Sequence, residues 1–424
     1  VKRRRPPRRT VDHPENGRTP EIMKLYIDRS PETRLCKFVS AVILCVFLTN
    51  ISYGISGAMG FHPSLISGFL KMVMALLFLF RAGIILKRMD QRLLLFLGTA
   101  ICVVTADYIA FPALEAYFTD TLITFFSFCL TTYIVCYQIR DHKKLKIEIT
   151  RASYLIAAMA GLLLAGIFSG RLPSFNNGGY SMGFGYSCVV PAIFLSAEAV
   201  QHRRKAAAVG AAVLTIAIVA FGSRGPLIEL FLFTAFLAVR DAFEKRKYVR
   251  GGLITAGIGA LLLAYKDLLM LLGEFLQRYG LQSRTIQTLT AETVHLSGRD
   301  RLFERLLPAI MEAPFAVRGI NAEWAVIGIY AHNIAVELLY QLGCVAGGAV
   351  ILFILGRIIR TLTLTELDDQ KLLCMIFMFA SIPQLMVSGS LWTNYVFWMW
   401  SAFMSRLIQD QRRDRRRRAG GYGR

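Results

Sequence analysis

The chain is organised in apolar blocks of roughly 20 residues, about the length at which a helix crosses the hydrocarbon of a bilayer. Inside lipid every backbone N–H and C=O has to be paired within the protein, so blocks of this length fold as helices. Composition agrees: 55% of the 424 residues are hydrophobic and 18% are charged, where a soluble chain of this size carries more charge. The sequence therefore predicts an all-α, polytopic membrane helix bundle. Twelve candidate spans follow, at about 38–58, 65–86, 93–112, 118–139, 150–170, 183–201, 206–221, 226–239, 248–265, 332–358, 372–392 and 394–408.

Lysine and arginine set the orientation. With the N-terminus in the cytoplasm, the segments 1–37, 87–92, 140–151, 203–205, 240–250, 357–371 and 406–424 all fall on the cytoplasmic side and hold most of the 49 Lys and Arg residues. The net charge of +21 thus marks topology and predicts contact with the lipid bilayer, not with nucleic acid. Residues 1–37 form a basic arm and 409–424 a basic tail, both cytoplasmic. Residues 1–22 lack an apolar core of the kind a signal peptide needs. Met23 reads as an alternative start, on which 1–22 would be an artefact of gene prediction. The eight cysteines lie in or beside apolar blocks with no C-x-x-C pair, and read as small apolar residues. The sequence carries no signal of oligomeric state.

This topology divides the chain into nine spans over 38–265, an outer loop over 266–331, and three spans over 332–408. A loop that long is usually functional or disordered. Its first part, "KDLLMLLGEFLQRYGL", has helical apolar spacing and predicts an interfacial helix. Its second, "SGRDRLFERLLPAIMEAP", predicts a short helix with Ser297 and Asp300 as a capping box and Pro308 as a kink or end.

Three polar features stand at helix entrances on the predicted outer face. "FGSRGPLIEL" puts Arg224 at the start of one span, with Pro226 in its first turn and Gly225 or Ser223 as cap. "SGRDRLFERL" puts Arg299 at the start of the loop helix, and "AHNIAVELL" puts His332 and Asn333 at the start of the next span. A helix N-terminus carries about half a positive charge, so arginine there costs roughly 0.3–1 kcal/mol. An anion held by backbone N–H groups and a guanidinium fork would account for that placement. The same positive end disfavours imidazolium, so His332 is expected to be neutral near pH 7 and able to accept a proton. Taken singly, each residue also has a plain reading. Arg224 would snorkel to the headgroups, and Arg299 and Arg301 would be solvated beside Asp300 and Glu304. His332 would be an interfacial polar residue. Lys71, two turns inside its span, is either functional or snorkels outward.

In order and placement, "SRGPL", "SGRDRLFERLLPAI", "RGI" and "AHNIAVELLYQLG" resemble the O-antigen ligase and O-antigen polymerase superfamily. The motifs cover about 220–345; the first five spans match in general character. The resemblance implies a glycosyltransferase of the bacterial inner membrane with its active site on the outer face. Its donor would be an undecaprenyl-diphosphate-linked glycan, and its acceptor a glycan or glycolipid, in lipopolysaccharide or other surface polysaccharide biosynthesis. Carried over by position, Arg224 and Arg299 would hold the donor diphosphate and His332 would act as catalytic base or acceptor guide. Asn333, Glu337, Arg301 and Lys71 would support them. Pro226 departs from the small or aliphatic residue common there, and the R-x10-G pattern of some polymerases is missing from the outer loops. Ligase and polymerase both stay open. No metal-ligand cluster stands out, so metal-independent, cofactor-free, inverting transfer is expected. The main alternative is a flippase or transporter of lipid-linked oligosaccharide, which would need polar residues near mid-membrane and usually repeated halves. A polyprenyl-monophosphate-sugar glycosyltransferase would typically carry an acidic pair in the first outer loop, where this chain has "GAMGFHPSL". A scaffold would leave the two arginines at helix entrances unexplained.

Overall fold

A computed structural model of the protein describes residues 30–59, 62–171, 181–221, 224–244, 299–364 and 368–420, with isolated positions between 267 and 286. Among these the fold is all-helical, without strands. The helices are α1 (Pro31–Met59), α2 (Pro63–Leu79), α3 (Ala82–Lys87), α4 (Gln91–Ala110), α5 (Glu115–Thr124), α6 (Thr131–Gln138), α7 (His142–Phe168) and α8 (Met182–His202). They continue as α9 (Lys205–Phe221), α10 (Arg224–Glu244), α11 (Arg299–Glu312), α12 (Ala322–Ile327), α13 (Ile334–Leu362), α14 (Asp369–Phe379), α15 (Ile382–Val387) and α16 (Tyr395–Gly420). Seven helical stretches among the described residues are long and apolar enough to cross a membrane: Pro31–Ser56, Gln91–Ala110, Pro112–Gln138, His142–Phe168, Met182–His202, Ile334–Leu362 and Asp369–Val387. Pro63–Leu79 and Lys205–Phe221 are shorter apolar helices. The expected span 248–265 and Ser297 of the expected capping box lie outside the described residues, while the described positions of the expected interfacial helix are helical, with Met270, Leu271 and Phe275 among them exposed.

Close packing follows from small residues, because lipid supplies no hydrophobic drive between helices. In α9 the buried positions Ala207, Gly210, Ala211, Leu214, Ala217, Ile218 and Phe221 recur at helical spacing. A Cβ at Gly210 would press on Leu195 of α8 and touch Ala157 of α7, so glycine lets three helices meet. Pro191 sits inside α8. Between α5 and α6, Phe125–Leu130 widens into a π-helical turn, a distortion often found beside functional sites. Phe125 there packs edge-on against Trp392 and Trp398.

Three continuous readings of the sequence are corrected. The span expected at 65–86 is two helices, α2 and α3, parted by Phe80 and Arg81. The span expected at 372–392 stops at Phe379, restarts as α15 and ends at Val387. Of the two expectations for Pro308, a kink or an end, the end is overturned, because Pro308 lies inside α11, which runs on to Glu312. The span at 332–358 is broken at Gly343, whose φ of 74° and ψ of 168° are not helical.

That break has a tertiary cause. The carbonyls of Phe315 and Ala316 lie against Gly343, where a Cβ would touch them. The backbone groups freed by the break are paired by the same passing segment. Cys344 N–H donates to Pro314 O at 2.7 Å, and Gln341 O accepts from Arg318 and Gly319 N–H at 2.9 and 3.2 Å. Beyond the break the 344–362 stretch is about 28 Å long at 1.5 Å per residue, enough to span hydrocarbon alone. The first turns of α13 are therefore free to build a site.

Candidate functional site

The site begins where α13 begins. Asn333 is its N-cap: Oδ1 accepts from the N–H groups of Ala335 and Val336 at 2.9 and 3.2 Å, and Nδ2 donates to Met386 O at 3.2 Å. The cap satisfies two otherwise orphaned donors, which explains an asparagine here without chemistry. Gly225, expected as a possible cap of α10, instead lies inside that helix.

His332 immediately precedes the N-cap of α13, with φ of +57°. That left-handed conformation costs an L-residue roughly 1–2 kcal/mol. Strain of this kind persists where surrounding structure imposes it, often at functional sites. The imidazole lies against Tyr330 with ring centroids 4.2 Å apart, and the Tyr330 hydroxyl meets Ser388 Oγ at 3.3 Å.

One turn into α13, Glu337 is fully buried. Its Oε1 accepts from Ser390 Oγ at 2.5 Å and its Oε2 from Leu391 N–H at 3.2 Å. A further turn on, Gln341 Nε2 donates to Glu323 Oε2 at 2.9 Å, while its Oε1 accepts from Trp392 Nε1 at 2.8 Å. Two residues of α13 thus tie α12 to the connection between α15 and α16. Burial raises the Glu323 carboxyl to about 7, against the Gln341 hydrogen bond that lowers it. Arg318 secures the other side of the loop. Its guanidinium donates to Ala309 O at 2.6 Å and Ala313 O at 3.2 Å, and lies 4.8 Å over the Tyr340 ring. This satisfies carbonyls at the C-terminus of α11, where a cation is favoured.

These connections wall a cavity of about 360 Å³ at this end of the bundle. Asn50, Lys71, Tyr186, Tyr330, Ser388 and Asn394 are among its lining side chains. Two glycines allow the close approach. A Cβ at Gly183 would overlap the Asn50 carboxamide, and one at Gly225 would overlap the Tyr186 hydroxyl. Asn394 Nδ2 donates to Gln384 Oε1 at 2.9 Å, while its Oδ1 receives Phe397 N–H at 2.9 Å. Lys71 Nζ lies 3.6 Å from Asp120 Oδ1, a carboxylate that is itself largely exposed. A concave wall of hydroxyls and carboxamides with one cation suits a polyhydroxylated ligand that carries negative charge.

Of the expected site residues one lines the cavity, and two others are neighbours of residues that line it. Lys71 lines the cavity. His332 borders it through Tyr330. Arg224, the first residue of α10, adjoins it through Gly225 against Tyr186. Asn333 and Glu337 do not line it but hold its walls. Arg299 opens α11, whose Leu306 and Ile310 share a small core with Ala331 beside the histidine turn. The side chains of Arg299 and Arg301 lie outside the described residues.

Sequence reasoning missed the neutral half of the site. Asn50 inside an apolar helix and the Ser/Gly/Asn-rich "SGSLWTN" between two apolar runs were the available signals. It also passed over Glu229 of α10, which is fully buried with neither carboxyl oxygen hydrogen-bonded among the described residues. Among those residues no cluster of three His, Cys, Asp or Glu side chains forms a metal site. Comparison with protein-family models, curated proteins and solved structures finds no match to this chain.

Proposed function

We propose that the protein is a membrane glycosyltransferase of the O-antigen ligase or polymerase type. On this reading it has twelve spans in the bacterial inner membrane, both termini in the cytoplasm, and the His332 end of the bundle on the outer face. The donor is an undecaprenyl-diphosphate-linked glycan and the acceptor a sugar hydroxyl. The observation that carries the reading is one cavity lined by Lys71, Tyr330 and Tyr186, with His332 against Tyr330 and Gly225, the neighbour of Arg224, against Tyr186. The motif resemblance around residues 220–345 supports it independently.

The chemistry is a single in-line displacement. The acceptor oxygen forms a bond to the anomeric carbon as the bond from that carbon to the diphosphate oxygen breaks. The electron pair leaves with the diphosphate, and the acceptor proton passes to His332. A positioned base contributes about 10²–10⁴-fold. Diphosphate needs charge stabilisation more than protonation on leaving, the role assigned to Arg224, Arg299 and Lys71. The donor holds the energy, so neither ATP nor a metal enters the scheme.

Purified protein in detergent, given a carrier-linked glycan and an acceptor without membranes or ATP, is expected to transfer the glycan. His332→Ala should lower the rate at least about 100-fold while the protein stays folded. Full activity in both His332→Ala and Arg224→Ala would overturn the mechanism. Absence of transfer, together with carrier-linked glycan crossing proteoliposome membranes, would establish the flippase reading instead.

A further inference from the structure

A second cavity, of about 490 Å³, opens at the opposite end of the bundle between α4, α6, α13 and α16. Arg92, Arg357, Arg360 and Arg412 all line it, with Tyr137 and Ser405. Among the described residues none of these four guanidinium groups has a carboxylate within ion-pair distance. Their partners are neutral. Arg357 donates to Ser401 O and Oγ at 3.1 and 3.0 Å and to Ser405 Oγ at 3.0 Å, and stacks 4.4 Å over Phe353. Arg360 donates to Gln411 Oε1 at 2.6 Å.

The nearby acids form no ion pair with these four, although Asp90 lines an adjoining cavity with Arg92 and Arg412. Asp90 accepts from Leu93 N–H at 2.9 Å, Tyr137 Oη at 3.0 Å and Gln409 Nε2 at 3.1 Å. Burial would raise its carboxyl, but these bonds and the Arg406 charge hold it below its ordinary value. Asp410 pairs with Arg406 at 3.1 Å. Arg357 and Arg360 are half-buried and Arg92 and Arg412 exposed, and an anion that joined them would offset the mutual repulsion of the four like charges.

The rim of the recess is apolar on its membrane side. Leu352 and Phe353 line it and are 70% and 57% exposed, and Ile359 on the same helix is 56% exposed. Leu94 and Leu95 of α4 are also largely exposed. A free phosphate would use the arginines and leave this strip uncovered. A phospholipid uses both, with its phosphate among the guanidiniums and its acyl chains along α4 and α13. Basic recesses between membrane helices on the cytoplasmic side suit such headgroups.

We propose that this recess is a binding site for an anionic phospholipid of the cytoplasmic leaflet, held by Arg92, Arg357, Arg360 and Arg412. Only the assignment of leaflet rests on the orientation given above, and the test reads lipid binding, not glycan transfer. Protein purified in detergent is titrated with phosphatidylglycerol, with cardiolipin and with phosphatidylcholine, and bound lipid is counted by native mass spectrometry. Anionic lipid should be retained in preference to phosphatidylcholine. The Arg92→Gln/Arg360→Gln/Arg412→Gln variant keeps the Arg357–serine contacts and should lose roughly 100-fold in affinity. Tyr330→Phe, at the other cavity, should leave binding unchanged. Equal retention of phosphatidylcholine, unchanged binding in the triple variant, or displacement by millimolar inorganic phosphate would each overturn the assignment.

Discussion

The two ends of the bundle handle charge in opposite ways. At the His332 end, two buried polar residues of α13 are fixed by partners in the same chain: Glu337 by Ser390 and Leu391, and Gln341 by Glu323 and Trp392. At the other end, four arginines share a recess, and two of them, Arg357 and Arg360, are bound to neutral oxygens. The first arrangement is a scaffold that shapes a cavity from residues distant in sequence. The second leaves positive charge for something outside the chain. Deleting a polar group should therefore be expensive at the first end and nearly free at the second.

The sharpest test is Glu337→Ala. It leaves Ser390 Oγ and Leu391 N–H unsatisfied in a buried place, which should cost roughly 2–3 kcal/mol and lower the melting temperature by several degrees. An unchanged melt would mean that the loop from α15 to α16 is held by packing alone. Gly343→Ala comes next. It forces an L-residue into φ of 74° against the Phe315 carbonyl, at a cost of about 1–2 kcal/mol. Faster hydrogen exchange at Cys344 and Gly319 should report release of the 314–319 segment.

Acidity gives a third handle. The Glu323 carboxyl titrates near 4.5 when unfolded and is raised to about 7 by burial. Both forms are protonated at lower pH. Between those values the folded protein keeps a proton that the unfolded chain has released, so stability falls as pH rises from about 4.5 to about 7. Melting curves at pH 5 and pH 8 should show this fall, and Glu323→Gln should lessen it. Arg412→Gln should have the smallest effect, within about 0.5 kcal/mol. At low salt it should raise the melting temperature slightly by relieving like-charge repulsion. A large loss there would break the comparison, because it would reveal an internal counter-charge.

Legibility differed by residue. His332 and Arg224 could be picked out because polar groups at helix entrances are local features of a sequence. Asn333 was legible as a polar neighbour, but its capping bonds and its hold on Met386 needed the folded chain. Lys71 was visible as a charge in an apolar helix, whereas its partner Asp120 lies 49 positions along the chain. The break at Gly343 was hidden, since "QLGCVAGG" continues a helical apolar run and only the passing carbonyls of 315–316 make the helix yield.

The sequence by itself determined that the protein is helical and built for a membrane, because the length and apolarity of a segment decide whether it can satisfy its own backbone in lipid. It also placed the histidine and the arginine at the starts of helices, since caps and composition act over a few residues. Only the tertiary structure decided which loops wall the cavity, which carboxylates are tied down, and which arginines share a recess. Those outcomes depend on contacts between residues tens to hundreds of positions apart, and such contacts leave no periodic mark on the sequence.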